Sequence, residues 1–159
     1  MNKLLRIDRI LLDELSSQAK TAPRLRKNYN IHRSEAEPCN RLLNGLEPGT
    51  YIQPHCHSDP MKDEAMVMVR GKMGLVAFDG NGKVTETVLL AAGGDVAAIS
   101  IPHGIFHTLV VLEPGTIFFE AKAGPYQGLK PNEKPQWAPA EGAPEAAAYL
   151  SDLRKLFGI

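Results

Sequence analysis

Between Asn40 and Lys122 the apolar residues gather in short runs: NRLLNGL, EAMVMVRG, KMGLVAFD, KVTETVLL, DVAAISI, HTLVVL and TIFFEAK, each about one strand long. Turn residues punctuate them at Glu47-Pro48-Gly49, Asp79-Gly80-Asn81-Gly82, Gly93-Gly94-Asp95 and Glu113-Pro114-Gly115. Many short strands with regular turns predict an all-β sandwich or barrel. The Asp79 to Gly82 stretch predicts a hairpin, because Asp-Gly and Asn-Gly tolerate the positive φ of tight turns. Upstream, Ile7, Ile10, Leu11, Leu12 and Leu15 recur at helical spacing, so a short amphipathic helix is expected from Asp8 to about Lys20, outside the barrel and ended before Pro23. A polar lead-in with Arg24, Arg26, Lys27 and Asn28 follows it. Beyond Gly124, prolines 125, 131, 135, 139 and 144 exclude a central strand and predict a surface arm. The segment PEAAAYLSDLRKLFG then reads as a closing helix, with proline near its start, Arg154 and Lys155 in its last turns and Gly158 as its stop. Residues 1–36, 37–124 and 125–159 are thus expected to be a helix with lead-in, a β-barrel, and an arm with a helix, all in one domain.

With 159 residues, 43% of them hydrophobic, the chain can bury a core as one domain. Its 18 basic and 18 acidic residues cancel, which argues against a nucleic-acid or anionic-membrane partner and favours a small-molecule ligand. Asp8, Asp13 and Glu14 interrupt the apolar residues near the amino terminus, so neither a signal-peptide core nor a membrane span is expected, and a cytoplasmic location is inferred. Cys39 and Cys56 are too few for a disulfide scaffold and read as free thiols.

The chemistry concentrates in GTYIQPHCHSDPMKDEAMVMVRG. Residues two apart on a strand share a face, so His55 and His57 point inward together and Cys56 points away. Two imidazoles need further ligands from neighbouring strands, and Glu64 and His107 each open another apolar run. Three nitrogens and a carboxylate make a protein shell for one divalent transition-metal ion, zinc, iron, nickel or manganese, with a position left for water or substrate. Asp59 and Asp63 are alternative sources of the carboxylate. By strand phase Met66 and Met68 follow Glu64 into the cavity, and Tyr51 and Gln53 follow His55; these four are candidate substrate contacts. Arg41 and Lys122 could bind an anion or lie solvated at the surface, while His32 and His103 lack ligand spacing.

These residues resemble the two motifs of the cupin superfamily. Gly49, His55, His57, Glu64 and Gly71 fit the first, with a loop of six residues between His57 and Glu64 where three or four are usual. Pro102, Gly104 and His107 fit the second, whose upstream glycine is displaced and whose terminal asparagine is Val111 here. The resemblance implies a double-stranded β-helix or jelly-roll barrel, and the family's spacing to Gly71 favours Glu64 over Asp59 and Asp63. From about Arg24 to Gly142 the chain is similar to the WbuC family of cupin-fold metalloproteins, on NGLEPGTYIQPHCH, FDGNGKV, IPHGIFHTLVVLEPGT, FEAKAGPY and QWAPAEG. The cupin resemblance implies a homodimer, and the likeness to the WbuC family implies a link to bacterial surface-polysaccharide (O-antigen) metabolism. Three roles remain open: a metal-dependent isomerase, epimerase or dioxygenase; a non-enzymatic saccharide or small-acid binding module; and a structural metal that locks the barrel.

Overall fold

The computed structural model describes residues 4–159; Met1 to Lys3, the start of the expected amino-terminal segment, lie outside the described residues. In chain order the elements are α1 (Arg9–Thr21), β1 (Arg26–Asn30), β2 (Cys39–Leu46), β3 (Glu64–Arg70), β4 (Lys72–Phe78), β5 (Val84–Ala91), β6 (Ala98–Ile101), β7 (Phe106–Val111), β8 (Thr116–Ala123) and α2 (Ala146–Lys155), with a short 3-10 turn at Pro131–Glu133. Every strand pairing is antiparallel, in a five-stranded sheet of order β1-β2-β8-β3-β6 and a three-stranded sheet of order β5-β4-β7. The seven expected strands all form. The eighth, β1, falls inside the stretch read as polar lead-in: RKNYN carries one apolar residue, Tyr29, yet pairs with β2 from Arg26↔Leu46 to Asn30↔Leu42.

The two sheets enclose a core to which both contribute: Leu46, Met66, Met68 and Phe118 from the larger, Met73, Leu75, Leu90, Leu109 and Val111 from the smaller. Burying such side chains is worth roughly 1.5–3 kcal/mol each and supplies the main drive to close the sandwich. Helix α1 starts where the Asp8 side chain accepts a hydrogen bond from the Leu11 N–H at 3.0 Å. It lays Leu15 and Ala19 on the outer face of β2, and Gly45 allows the approach, since a Cβ there would sit 2.9 Å from Leu15 Cγ. Ile10, counted with the apolar stripe, is 68% exposed; the buried face runs through Leu15 and Ala19 instead.

The smaller sheet is covered from outside by the carboxy-terminal segment. Leu153, Tyr149, Phe157 and Trp137 pack on Val76, Phe78 and Val110, so β4 is buried on both faces along most of its length. The expected hairpin joins β4 to β5, with Asp79 N–H donating to Lys83 O at 2.9 Å and Gly82 at φ +86°. Among the described residues no helix is long and apolar enough to cross a membrane.

Candidate metal centre

His55 and His57 lie on an extended segment that is not a full strand. It touches the smaller sheet at one antiparallel bridge, His55 N–H to His107 O at 3.0 Å and His107 N–H to His55 O at 2.9 Å. Further backbone partners come from the turn before β7, where Gly104 N–H donates to His57 O at 2.7 Å, and from the proline-rich arm. Cys56 N–H donates to Glu133 O at 3.0 Å, and the Glu133 carboxylate accepts from Ser58 N–H and Ser58 Oγ, both at 2.7 Å, and from Lys130 N–H at 2.8 Å. Burial opposes ionisation of Glu133, but the hydrogen bonds from Ser58 and Lys130 win and hold its carboxyl at about 2. Cys56 is buried on the opposite side from the imidazoles, where burial and the Glu133 charge push its thiol up.

The bridge places the His55 and His107 rings 4.7 Å apart, with His57 5.5 Å from His55 and 6.3 Å from His107, centre to centre. Glu64 opens β3 opposite them. Its Oε2 lies 3.1 Å from His57 Nε2 and 3.5 Å from His107 Nε2, and its side chain is 3% exposed. His55, His57 and Glu64 each offer a ligand atom, all within 4.8 Å of one another, a grouping that could hold a metal ion. Two of the imidazoles have a fixed tautomer. Nδ1 of His55 lies 3.0 Å from Gln53 O, and Nδ1 of His107 lies 3.0 Å from Ile105 O. A carbonyl can only accept, so in each neutral ring Nδ1 carries the proton and Nε2 the free lone pair. His107 Nε2 is buried without a hydrogen-bond partner, an orphan that a metal would satisfy. Burial, then the His107 ring, lowers His55 to about 3, so it stays neutral and able to ligate. For Glu64 burial pulls the other way, but contacts from His107 and His57 and the Lys122 charge hold its carboxyl well below the usual range, hence ionised. Neutral nitrogens around one carboxylate are the donor set a first-row divalent ion accepts.

Residues 7–90 match the family model described as a domain of unknown function, DUF6016. The chain belongs to the DUF6016 family. The matched stretch contains His55, His57 and Glu64 and ends before His107. No curated protein matches this DUF6016 chain. Among solved structures, KdgF from Halomonas sp. is similar with a TM-score of 0.51 and 20% identity, over 67% of this chain and 85% of that one. A protein of unknown function from Streptococcus pyogenes gives 0.54 and 15%, over 80% and 93%. Recombinant oxalate oxidase in complex with glycolate gives 0.54 and 16%, over 70% of this chain and 57% of that one. At such identities the likeness establishes the fold, and the fold is the cupin jelly roll.

The expected substrate contacts divide. Gln53 and Met66 line a cavity of about 790 Å³ together with the three histidines and Glu64. Tyr51 and Met68 do not line it. The Tyr51 hydroxyl donates to Pro139 O at 2.7 Å, and Met68 is packed in the core. Strict alternation fails for Tyr51 because residues 51–57 follow the arm and not a continuous strand ladder. Of the alternative carboxylates, Asp63 is tied to His103 at 2.9 Å on the surface and Asp59 accepts from Met61 N–H, so Glu64 alone of the three reaches the imidazoles. Arg41 pairs with Glu37 at 2.8 Å, and His32 Nδ1 bonds the Arg41 backbone.

Lys122, for which the sequence leaves anion binding and surface solvation open, points inward: its Nζ lies 2.6 Å from Glu120 Oε1 and 3.8 Å from Glu64 Oε1. Glu120, a single glutamate in an apolar run, belongs to neither metal motif. Burial and then the Glu64 charge raise its carboxyl to about 7, against the pull of Lys122. The signal was available in the alternation of TIFFEAK, which puts Phe118, Glu120 and Lys122 on one face.

Proposed function

We propose that this protein is a mononuclear metal-binding cupin that binds or transforms a small sugar-derived or acidic molecule, with His55, His57, Glu64 and His107 holding one divalent transition-metal ion. The observation that carries the reading is the buried, unpartnered Nε2 of His107, 3.5 Å from the same Glu64 oxygen that meets His57. Two imidazoles with free Nε2 lone pairs and a third against the same ionised carboxylate have no better use in a cupin interior than ligation. A divalent ion held there supplies a Lewis acid that polarises a ligand oxygen. The protein's own part is to keep His55 neutral by burial, to fix the tautomers of His55 and His107 through Gln53 O and Ile105 O, and to present a ligand-sized cavity beside them. Likeness to the WbuC proteins favours ligands of bacterial surface-polysaccharide metabolism.

A second reading is a binding module without turnover, supported by the engagement of both buried cavity carboxylates: Glu64 by histidines and Lys122, Glu120 by Lys122 and Asn44. Elemental analysis of protein purified without chelators tests the metal: about one transition-metal ion per chain is expected, falling at least about tenfold in affinity in His55→Ala and His107→Ala. A folded chain that neither carries nor takes up such an ion refutes the proposal. Product formation from nucleotide sugars or keto acids by the metal-loaded protein separates enzyme from module.

A further inference from the structure

The cavity has a second wall for which metal ligation gives no reason. Register sets Glu64, Lys122 and Asn40 side by side across β3, β8 and β2, and Met68, Phe118, Asn44 and Asn28 in a parallel row. Between the rows Glu120 accepts from Asn44 Nδ2 at 2.8 Å and pairs with Lys122. Asn40, Asn44 and Glu120 are 2%, 7% and 6% exposed, and the Oδ1 of Asn40 is buried with no hydrogen-bond partner. All three, with Lys122, line the same cavity as the imidazoles. The intervening inward positions of β2 are Leu42 and Leu46, so an apolar wall was open to this strand. Carboxamides and an ion pair in such a place cost stability unless something in the cavity completes their hydrogen bonds.

We infer that this wall, Asn40, Asn44, Glu120 and Lys122, grips the hydroxyl groups of a polyhydroxylated, carbohydrate-like ligand whose other end reaches the histidine and Glu64 cluster; the inference rests on the reading of that cluster as the ligand's anchor. A carboxamide both donates and accepts, as a hydroxyl does, and the two are mutually satisfying. Glu64 and Glu120 face the same space, so a second carboxylate on the ligand meets like charge, whereas a hydroxyl donates to a carboxylate and accepts from Lys122. Two strand spacings separate Glu64 from Asn40, about 10 Å, so the ligand must be several carbons long. A cavity of about 790 Å³ is within the range of small-ligand sites.

Gluconate, hexanoate and adipate share a chain length and isolate the property at issue: hydroxyls with one carboxylate, one carboxylate alone, or two carboxylates. Calorimetric titration of the full chain loaded with zinc is expected to show gluconate binding at least about tenfold more tightly than either other acid. Asn40→Leu, alike in side-chain branching, is expected to lower gluconate affinity about tenfold while metal content and the weak hexanoate binding stay unchanged. Hexanoate or adipate binding as tightly as gluconate, or no gluconate binding by the metal-loaded protein, overturns the inference. Should Asn40→Leu not fold, the ranking of the three acids on the unaltered chain still decides. A chain that takes up no metal yet prefers gluconate would sink the metal centre and leave the wall standing.

Discussion

Replacing Glu133 by Gln tests how the arm holds the histidine segment. The carboxylate receives three hydrogen bonds, two from Ser58, next in the chain to His57, and one from Lys130. A carboxyl held at about 2 in place of its ordinary 4.5 is worth about 3 kcal/mol at neutral pH, at 1.36 kcal/mol per pH unit. Its neighbours Pro131 and Asn132 are exposed, so water screens the charge, and about 2 kcal/mol is the working figure. The sign follows from linkage: a depressed carboxyl stabilises the fold above its unfolded value, near 4.5, and that stabilisation drains away as pH falls toward 2. Urea denaturation followed by Trp137 fluorescence should therefore find Glu133→Gln less stable by about 2 kcal/mol at pH 7, with the gap reduced to about half by pH 3. Metal affinity should fall in parallel by about tenfold, because the loosened Ser58 lets His57 wander. A gap independent of pH between 3 and 7, or one below about 0.5 kcal/mol at pH 7, would show that the arm does not hold the segment through this charge.

Gly74→Ala should destabilise by about 1–3 kcal/mol in the same assay, because a Cβ there would lie 2.2 Å from the Phe157 ring; the double variant Gly74→Ala/Phe157→Ala should recover part of the loss. Lys122→Met leaves Glu64 and Glu120 facing each other without their cation, and a loss of about 3 kcal/mol is expected at pH 8. Because Glu120 already stands at about 7, above its ordinary value, stability declines as pH rises from 4.5 to about 7, and the Lys122→Met penalty should shrink at pH 6 as Glu120 takes a proton; equal penalties at pH 6 and pH 8 would contradict the assignment. Gly45→Val should weaken docking of α1 by about 2 kcal/mol through collision with Leu15 while leaving metal content unchanged, read by denaturation and elemental analysis together.

Period-two alternation made most of the barrel legible because β2 to β8 each bury one face against the shared core. It failed at β1, whose inward Arg26, Asn28 and Asn30 line a polar cavity, so RKNYN has no apolar rhythm to read. His55 and His57 were legible as a pair because two ligands on one extended segment are a local pattern. Glu64 is legible through its spacing to Gly71 and His107 through Pro102 and Gly104, while the backbone bridge that joins His107 to His55 belongs to the folded chain. Tyr51 was misplaced by the same parity that placed His55, since parity holds only while a strand stays in its ladder. Glu120 is not legible, because a lone glutamate in an apolar run reads as the solvent face; the pairing Met66↔Glu120↔Leu42 turns it inward.

The clasp between Glu133 and residues 56–58 also bears on how the protein matures during synthesis. All eight strands have left the ribosome by the time Ala123 has cleared it, so both sheets can pair before the clasp residue is available. A chain stalled short of Glu133 would carry a nearly finished barrel with Cys56 and Ser58 untethered, and a pulse of metal given then should be retained far less well than one given after release. Competence to hold the ion is thus expected to arrive only after Glu133 has emerged, later than the strands themselves.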